Sequence, residues 1–189
     1  MQRYTEVFIL NMLIPNLLLI AGTGNKSGKT SAACRIIGSL PDLSITAIKI
    51  TPHFHETTGG LDALTESEGY SIYEETNRES GKDTARMLQS GAARVYFAKV
   101  WDDNLPAAFL KIMEIIPEGM PVVCESPALR NFIEPGLFII MTSDNTYNKK
   151  DIKHLQSLPH LMIKLEELEN NASLPFVFEE GKWILKSEV

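Results

Sequence analysis

Ala21-Gly22-Thr23-Gly24-Asn25-Lys26-Ser27-Gly28-Lys29-Thr30 decides how the rest of the chain is read. It follows the apolar run Leu17-Leu18-Leu19-Ile20 and leads into a helix-compatible stretch predicted over 29–40, ended by Pro41. A strand, a glycine-rich turn and a helix in this order form the setting in which backbone amides converge on a phosphate. Several N–H donors must approach one anion, so bulky side chains have to be absent. Gly22, Gly24 and Gly28 permit that approach and the left-handed dihedrals it requires. The helix beginning near Lys29 turns the positive end of its dipole toward the anion. Lys29 offers a mobile cation to β- and γ-phosphates, and Thr30 a hydroxyl to Mg²⁺. The expected nucleotide-binding residues are therefore Gly22, Thr23, Gly24, Asn25, Lys26, Ser27, Gly28, Lys29, Thr30 and Ser31, with ATP or GTP and Mg²⁺ as ligands. A glycine-rich turn that only happens to precede a helix is the alternative.

Outward from this loop, strand-like runs alternate with amphipathic segments. Strands are expected at 17–21, 44–50, 93–100, 121–125 and 137–142. Helices are expected at 104–116, where Phe109, Ile112, Met113 and Ile116 recur every three to four residues, and at 151–158. The tail 176–185 reads as a small hairpin turning near Gly181. Such alternation implies an α/β fold with a mostly parallel sheet and right-handed crossovers. The short continuous apolar runs suit strands covered on both faces.

The chain has 189 residues, 44% of them hydrophobic, enough for one core and a single domain. A net charge of −6 argues against a nucleic-acid or anionic-membrane partner. Cys34 and Cys124 fit no metal spacing and are expected as reduced thiols of a cytoplasmic protein. The apolar stretch 8–21 is interrupted by Asn11, Pro15 and Asn16 and is too short to span a bilayer. Residues 1–16 are expected as an extension before the first strand, with Met12 as an alternative start.

Segment 51–80 is expected as a long acidic loop. It carries Gly59, Gly60 and Gly69 among seven carboxylates, Glu56 to Glu79. Following the second strand, it should emerge at the carboxyl edge of the sheet, where ligands bind. A solvated insertion without a role is the other reading.

Three further positions carry chemistry. Glu125 ends the apolar run Pro121-Val122-Val123-Cys124, and a carboxylate there needs a partner unless it sits on a wet rim. Lys49 ends the second strand, where a cation near a γ-phosphate would stabilise developing charge. Asp83 begins the segment Asp83-Thr84-Ala85-Arg86-Met87-Leu88, where an aspartate is also a routine helix cap. His53 and His55 form a weak metal pair, and Arg130 is a candidate anion contact or a surface arginine. Asn148-Lys149-Lys150-Asp151 matches a guanine-reading pattern, and a helix start explains it equally well.

Gly22-Thr23-x-x-x-x-Gly28-Lys29-Thr30 resembles the loop of one branch of the P-loop nucleotide-binding proteins. That branch holds dethiobiotin synthetase, the cobyrinic acid a,c-diamide synthases and the molybdopterin-guanine dinucleotide biosynthesis protein B family, a GTP-binding adapter. Glycine stands at Gly22 and threonine at Thr23, where the usual loop has its first glycine. The resemblance spans 17–142 and implies a three-layer P-loop NTPase domain. By resemblance, Thr30, Asp83 and Glu125 hold Mg²⁺, and Lys49 contacts phosphate or substrate, joining Lys29 as a catalytic residue. Gly81-Lys82-Asp83-Thr84 with Gln89-Ser90-Gly91-Ala92-Ala93 is similar to the molybdopterin family; Asp-x-Ala-x-x-Leu is similar to the synthetase. A second lysine typical of part of this branch lies five residues before the loop lysine. That position is Gly24 here, so Lys26 does not inherit its role and is either a phosphate contact or exposed. Ser126-Pro127-Ala128 departs from the synthetase's glycine-rich follow-on. The implied functions are an Mg²⁺-dependent NTPase adapter, an ATP-dependent ligase acting on a small molecule, or a nucleotide switch whose segment 51–80 binds a protein. A homodimer is implied by analogy.

Overall fold

The computed structural model describes residues 12–24, 26–54, 59–142, 151–171 and 173–186. The protein is an α/β fold built on an eight-stranded, mostly parallel mixed sheet with a small C-terminal antiparallel hairpin. Its strands are β1 (Met12–Gly22), β2 (Thr46–Thr51), β3 (Leu61–Ser67), β4 (Tyr70–Glu75), β5 (Arg94–Val100), β6 (Val122–Glu125), β7 (Ile133–Thr142) and β8 (Leu161–Lys164), arranged 3-4-5-2-6-1-7-8. All neighbours from β5 through β8 run parallel; β3 and β4 are antiparallel. The helices are α1 (Lys29–Gly38), α2 (Asp83–Gln89), α3 (Leu105–Met113), α4 (Lys153–Gln156) and α5 (Leu165–Asn170).

The central strand shows why the apolar run had to be a strand with two covered faces. Leu17 through Ala21 are entirely buried. Leu17, Leu19 and Ala21 enter a core shared with Phe109 and Ile112 of α3. Leu18 and Ile20 point the other way, into a core shared with Ala33 and Ile36 of α1 and Met87 of α2. The period-two alternation thus divides one uninterrupted hydrophobic run between two cores.

Several expectations need correction. Segment 51–80 is not a long loop. Thr51 closes β2, and β3 and β4 form a hairpin whose second strand pairs with β5. Gly69, with φ +86°, makes the turn, and Ile72 and Tyr73 are buried while most of β3 is exposed. A strand at the sheet's edge needs few apolar residues, and exposed charges on it discourage pairing with other chains. Nor is 1–16 wholly an extension: Met12, Leu13 and Ile14 pair with Ile133, Glu134 and Pro135, before a register shift at Pro15 and Asn16. Residues 1–11 lie outside the described residues. β7 accordingly starts at Ile133 rather than 137. The segments β8 and α5 have no counterpart in the sequence-based reading.

The C-terminal hairpin, β9 (Phe176–Glu179) and β10 (Lys182–Leu185), turns at Glu180 and Gly181 as expected. Trp183 is buried against Phe176 and Phe178, and its indole N–H donates to the Asn16 carbonyl at 3.0 Å. The hairpin therefore seals the irregular part of β1. Cys34 and Cys124 are both free of disulfide bonds. Burial, then the neighbouring Glu125 charge, pushes the Cys124 thiol far up, so it stays protonated. Among the described residues no helix is long and apolar enough to cross a membrane.

Candidate functional site

Parallel register brings the ends of three strands to one edge. Ile20 of β1 and Lys49 of β2 both lie beside Glu125 of β6. The chain leaving β1 at Gly22 therefore enters α1 next to the two charged strand ends. Open parallel sheets collect ligands at this carboxyl edge.

Of the three loop glycines only Gly28 takes the left-handed conformation expected of them; Gly22 and Gly24 do not. Gly28 caps α1 with φ 87° and ψ 8°, a left-handed conformation, and no side chain caps the helix. The first turn of α1 contains no acidic residue. Its orphan amides and dipole are thus not neutralised from within the helix. Lys29 folds back over the loop, donating to the Gly24 carbonyl at 2.8 Å and to Ser27 Oγ at 3.3 Å. A side chain on Gly22 would collide with Ser27 and press on the Lys29 stem, so glycine there is needed for close approach. Thr23 continues the sheet ladder by donating its amide to Met141. Lys26 is exposed with φ 57°. Asn25 lies outside the described residues.

Around this loop, four side chains from four elements meet. Thr30 Oγ1 donates to Glu125 Oε2 at 2.7 Å. Lys49 Nζ donates to the same oxygen at 3.1 Å and to Asp83 Oδ2 at 2.6 Å. Glu125 is buried, as a strand-end carboxylate with partners can be, and is not a wet rim residue. Burial opposes the charged form of Lys49, but Glu125 and Asp83 outweigh it and hold the ammonium above its ordinary range. Burial likewise tends to raise the Asp83 carboxyl; Lys49, with help from Arg86 and Thr30, more than reverses this and holds it below its ordinary range. Asp83 is not the cap of α2. Lys82 occupies that position without a capping side chain, and Asp83, one residue later, turns to Lys49.

These residues line one cleft of about 560 Å³, together with Lys26, Ser27, Gly28, Lys29 and Ser31. Two further lining residues had no assigned role in the sequence. Arg86 donates to Ser31 Oγ at 3.1 Å and pairs with Asp83 at 3.7 Å. Its signal was the three-residue spacing from Asp83, which puts both on one helix face. Leu165, at the start of α5, packs beside Gly28, and no motif marks it.

The other candidates do not join this group. Arg130 is buried, donates to the Ile133 carbonyl, and stacks on Phe138. It lines a separate cleft with Glu134 and His160. His53 is exposed, and His55 lies outside the described residues. So do residues 148–150 of the guanine-like pattern; Asp151 accepts the amide of Lys153 at the start of α4.

Thr30, Glu125 and Asp83 offer a hydroxyl and two carboxylates, hard oxygen donors that suit Mg²⁺. Among the described residues no three His, Cys, Asp or Glu side chains form a metal cage. Mg²⁺ does not require one, since it retains waters and phosphate oxygens and takes only one or two carboxylates. The donor set therefore fits the ion. Comparison with protein-family models, curated proteins and solved structures returned no match.

Proposed function

We propose that this chain is a P-loop domain that binds a nucleoside triphosphate with Mg²⁺ in the cleft beneath α1 and hydrolyses it, acting as an NTPase adapter. The observation that carries the reading is the contact of Thr30 with Glu125, because it joins the residue after the loop lysine to a buried strand-end carboxylate. In this reading the α1 amides and Lys29 hold the β- and γ-phosphates. Thr30, Glu125 and Asp83 hold Mg²⁺, which supplies neutralisation of phosphate charge when bound. Lys49 and Arg86 line the same cleft and stabilise negative charge that grows during phosphoryl transfer.

A resemblance to the molybdopterin-guanine dinucleotide adapter family supports the adapter role, by motif alone. The ligase reading shares the phosphate site and differs in needing an acceptor beside Lys49. Calorimetric titration with ATP and GTP, with and without Mg²⁺, tests the common claim. Saturable, Mg²⁺-dependent binding of either nucleotide is expected, followed by phosphate release. An absence of binding at millimolar concentrations of both would overturn it.

A further inference from the structure

The position of Lys49 suggests a role beyond phosphate contact. Its ammonium lies between the same two carboxylates that suit a metal, 2.6 Å from Asp83 and 3.1 Å from Glu125. The Glu125 oxygen it touches is also the one that receives the Thr30 hydroxyl. A divalent ion on that oxygen would press against the ammonium, and like charges at such range repel strongly outside bulk water. The lysine and the metal therefore compete for one set of oxygens.

We propose that Lys49 is a stand-in cation that closes the metal position until a triphosphate draws it away, so that metal and nucleotide enter as a coupled pair. Without Lys49, two carboxylates would face each other at the cleft wall and attract any divalent ion that passed. With Lys49 on both carboxylates and Arg86 on Asp83, two cations already offset the two negative charges, and a bare metal gains little by displacing the lysine. A triphosphate changes the balance. It brings several negative charges to the end of α1, in the cleft that Lys49 lines. The flexible four-carbon stem of lysine lets the ammonium move to the phosphate without moving β2. The carboxylates are then open to the metal that accompanies the nucleotide. Arg86, held by Asp83 and Ser31, stays on the α2 side of the exchange.

This inference rests on the proposed function, and the two fail in different ways. The probe is Mn²⁺ alone, followed by electron paramagnetic resonance and calorimetry, with circular dichroism to confirm folding. Wild type should bind Mn²⁺ weakly without nucleotide. Lys49→Met should bind it more tightly by roughly tenfold or more, within the ordinary range of coupling between sites, and Lys49→Arg should remain weak. Lys49→Gln, which keeps a hydrogen-bond donor but no charge, should also tighten binding, and it carries the test if Lys49→Met does not fold. Mn²⁺ affinity unchanged or lower in both uncharged variants would overturn the stand-in role. If wild type binds neither ATP nor GTP in the presence of Mn²⁺, it is the proposed function that fails.

Discussion

The hydroxyl of Thr84 donates to the Glu75 carboxylate at 2.6 Å, with both residues buried. Glu75 ends β4, and Thr84 lies in the first turn of α2, directly after Asp83. The same carboxylate accepts the Asn77 amide at 2.9 Å. The edge hairpin thus anchors the helix that presents Asp83 and Arg86 to the cleft. Glu75→Ala should cost about 1–3 kcal/mol, since it leaves a buried hydroxyl and an amide without their acceptor. Urea unfolding of Glu75→Ala, Thr84→Val and the double variant would show it. Coupling of about 0.5 kcal/mol or more is expected for residues in contact. Fully additive costs would mean that the bond does not hold α2.

Lys29→Ala should reduce triphosphate affinity by roughly 10- to 100-fold, the loss of about 1.5–3 kcal/mol expected for charge-assisted bonds. Gly28→Ala should lose affinity for a different reason. A side chain at φ 87° costs about 1–2 kcal/mol, and its Cβ would approach Leu165 to 3.3 Å. Retained affinity in Lys29→Ala, measured by calorimetry, would place the phosphates elsewhere.

The perturbed pair Lys49 and Asp83 predicts stability limits at both ends of the pH scale. Asp83 is held below its ordinary value of 3.8, so its contribution is present above that pH and is lost as pH falls through the lower folded value. Lys49 is held above its ordinary value of 10.5, so its contribution is present below that pH and is lost as pH rises through the higher folded value. Urea midpoints followed across both limbs should show Asp83→Asn with a shallower acid limb and Lys49→Met with a shallower alkaline limb. Limbs parallel to wild type in both variants would remove the link between this pair and folding.

The legible part of this chain is the part where local chemistry and global packing agree. Leu17 to Ala21 reads as a buried strand because its apolar run leads straight into a glycine-rich turn, and Gly28-Lys29-Thr30 reads as the start of a helix. Glu125 was legible because a carboxylate closing an apolar run demands a partner. The β3–β4 hairpin was hidden because most of β3 is exposed, so that edge strand is set by its pairing with β4 and not by burial. β8 and α5 were hidden by brevity: four and six residues carry too little periodicity to read. The bond between Lys49 and Asp83 joins positions 34 residues apart, which no local pattern encodes.

The C-terminal hairpin gives a prediction independent of the cleft. Trp183 is almost fully buried, packs on Phe176 and Phe178, and reaches the Asn16 carbonyl of β1 across 167 residues of chain. That makes the hairpin part of the core beneath the irregular start of β1, not an appendage. Trp183→Phe should cost about 1 kcal/mol from the lost indole bond, and Trp183→Ala about 3–5 kcal/mol from the cavity it leaves. Both variants should bind triphosphate as wild type does while they remain folded, because Trp183 does not line the phosphate cleft. Urea unfolding followed at two wavelengths separates the alternatives. One cooperative transition, shifted in both variants, is expected. A Trp183→Ala protein with the wild-type midpoint would show that the hairpin docks on a fold that is already complete without it.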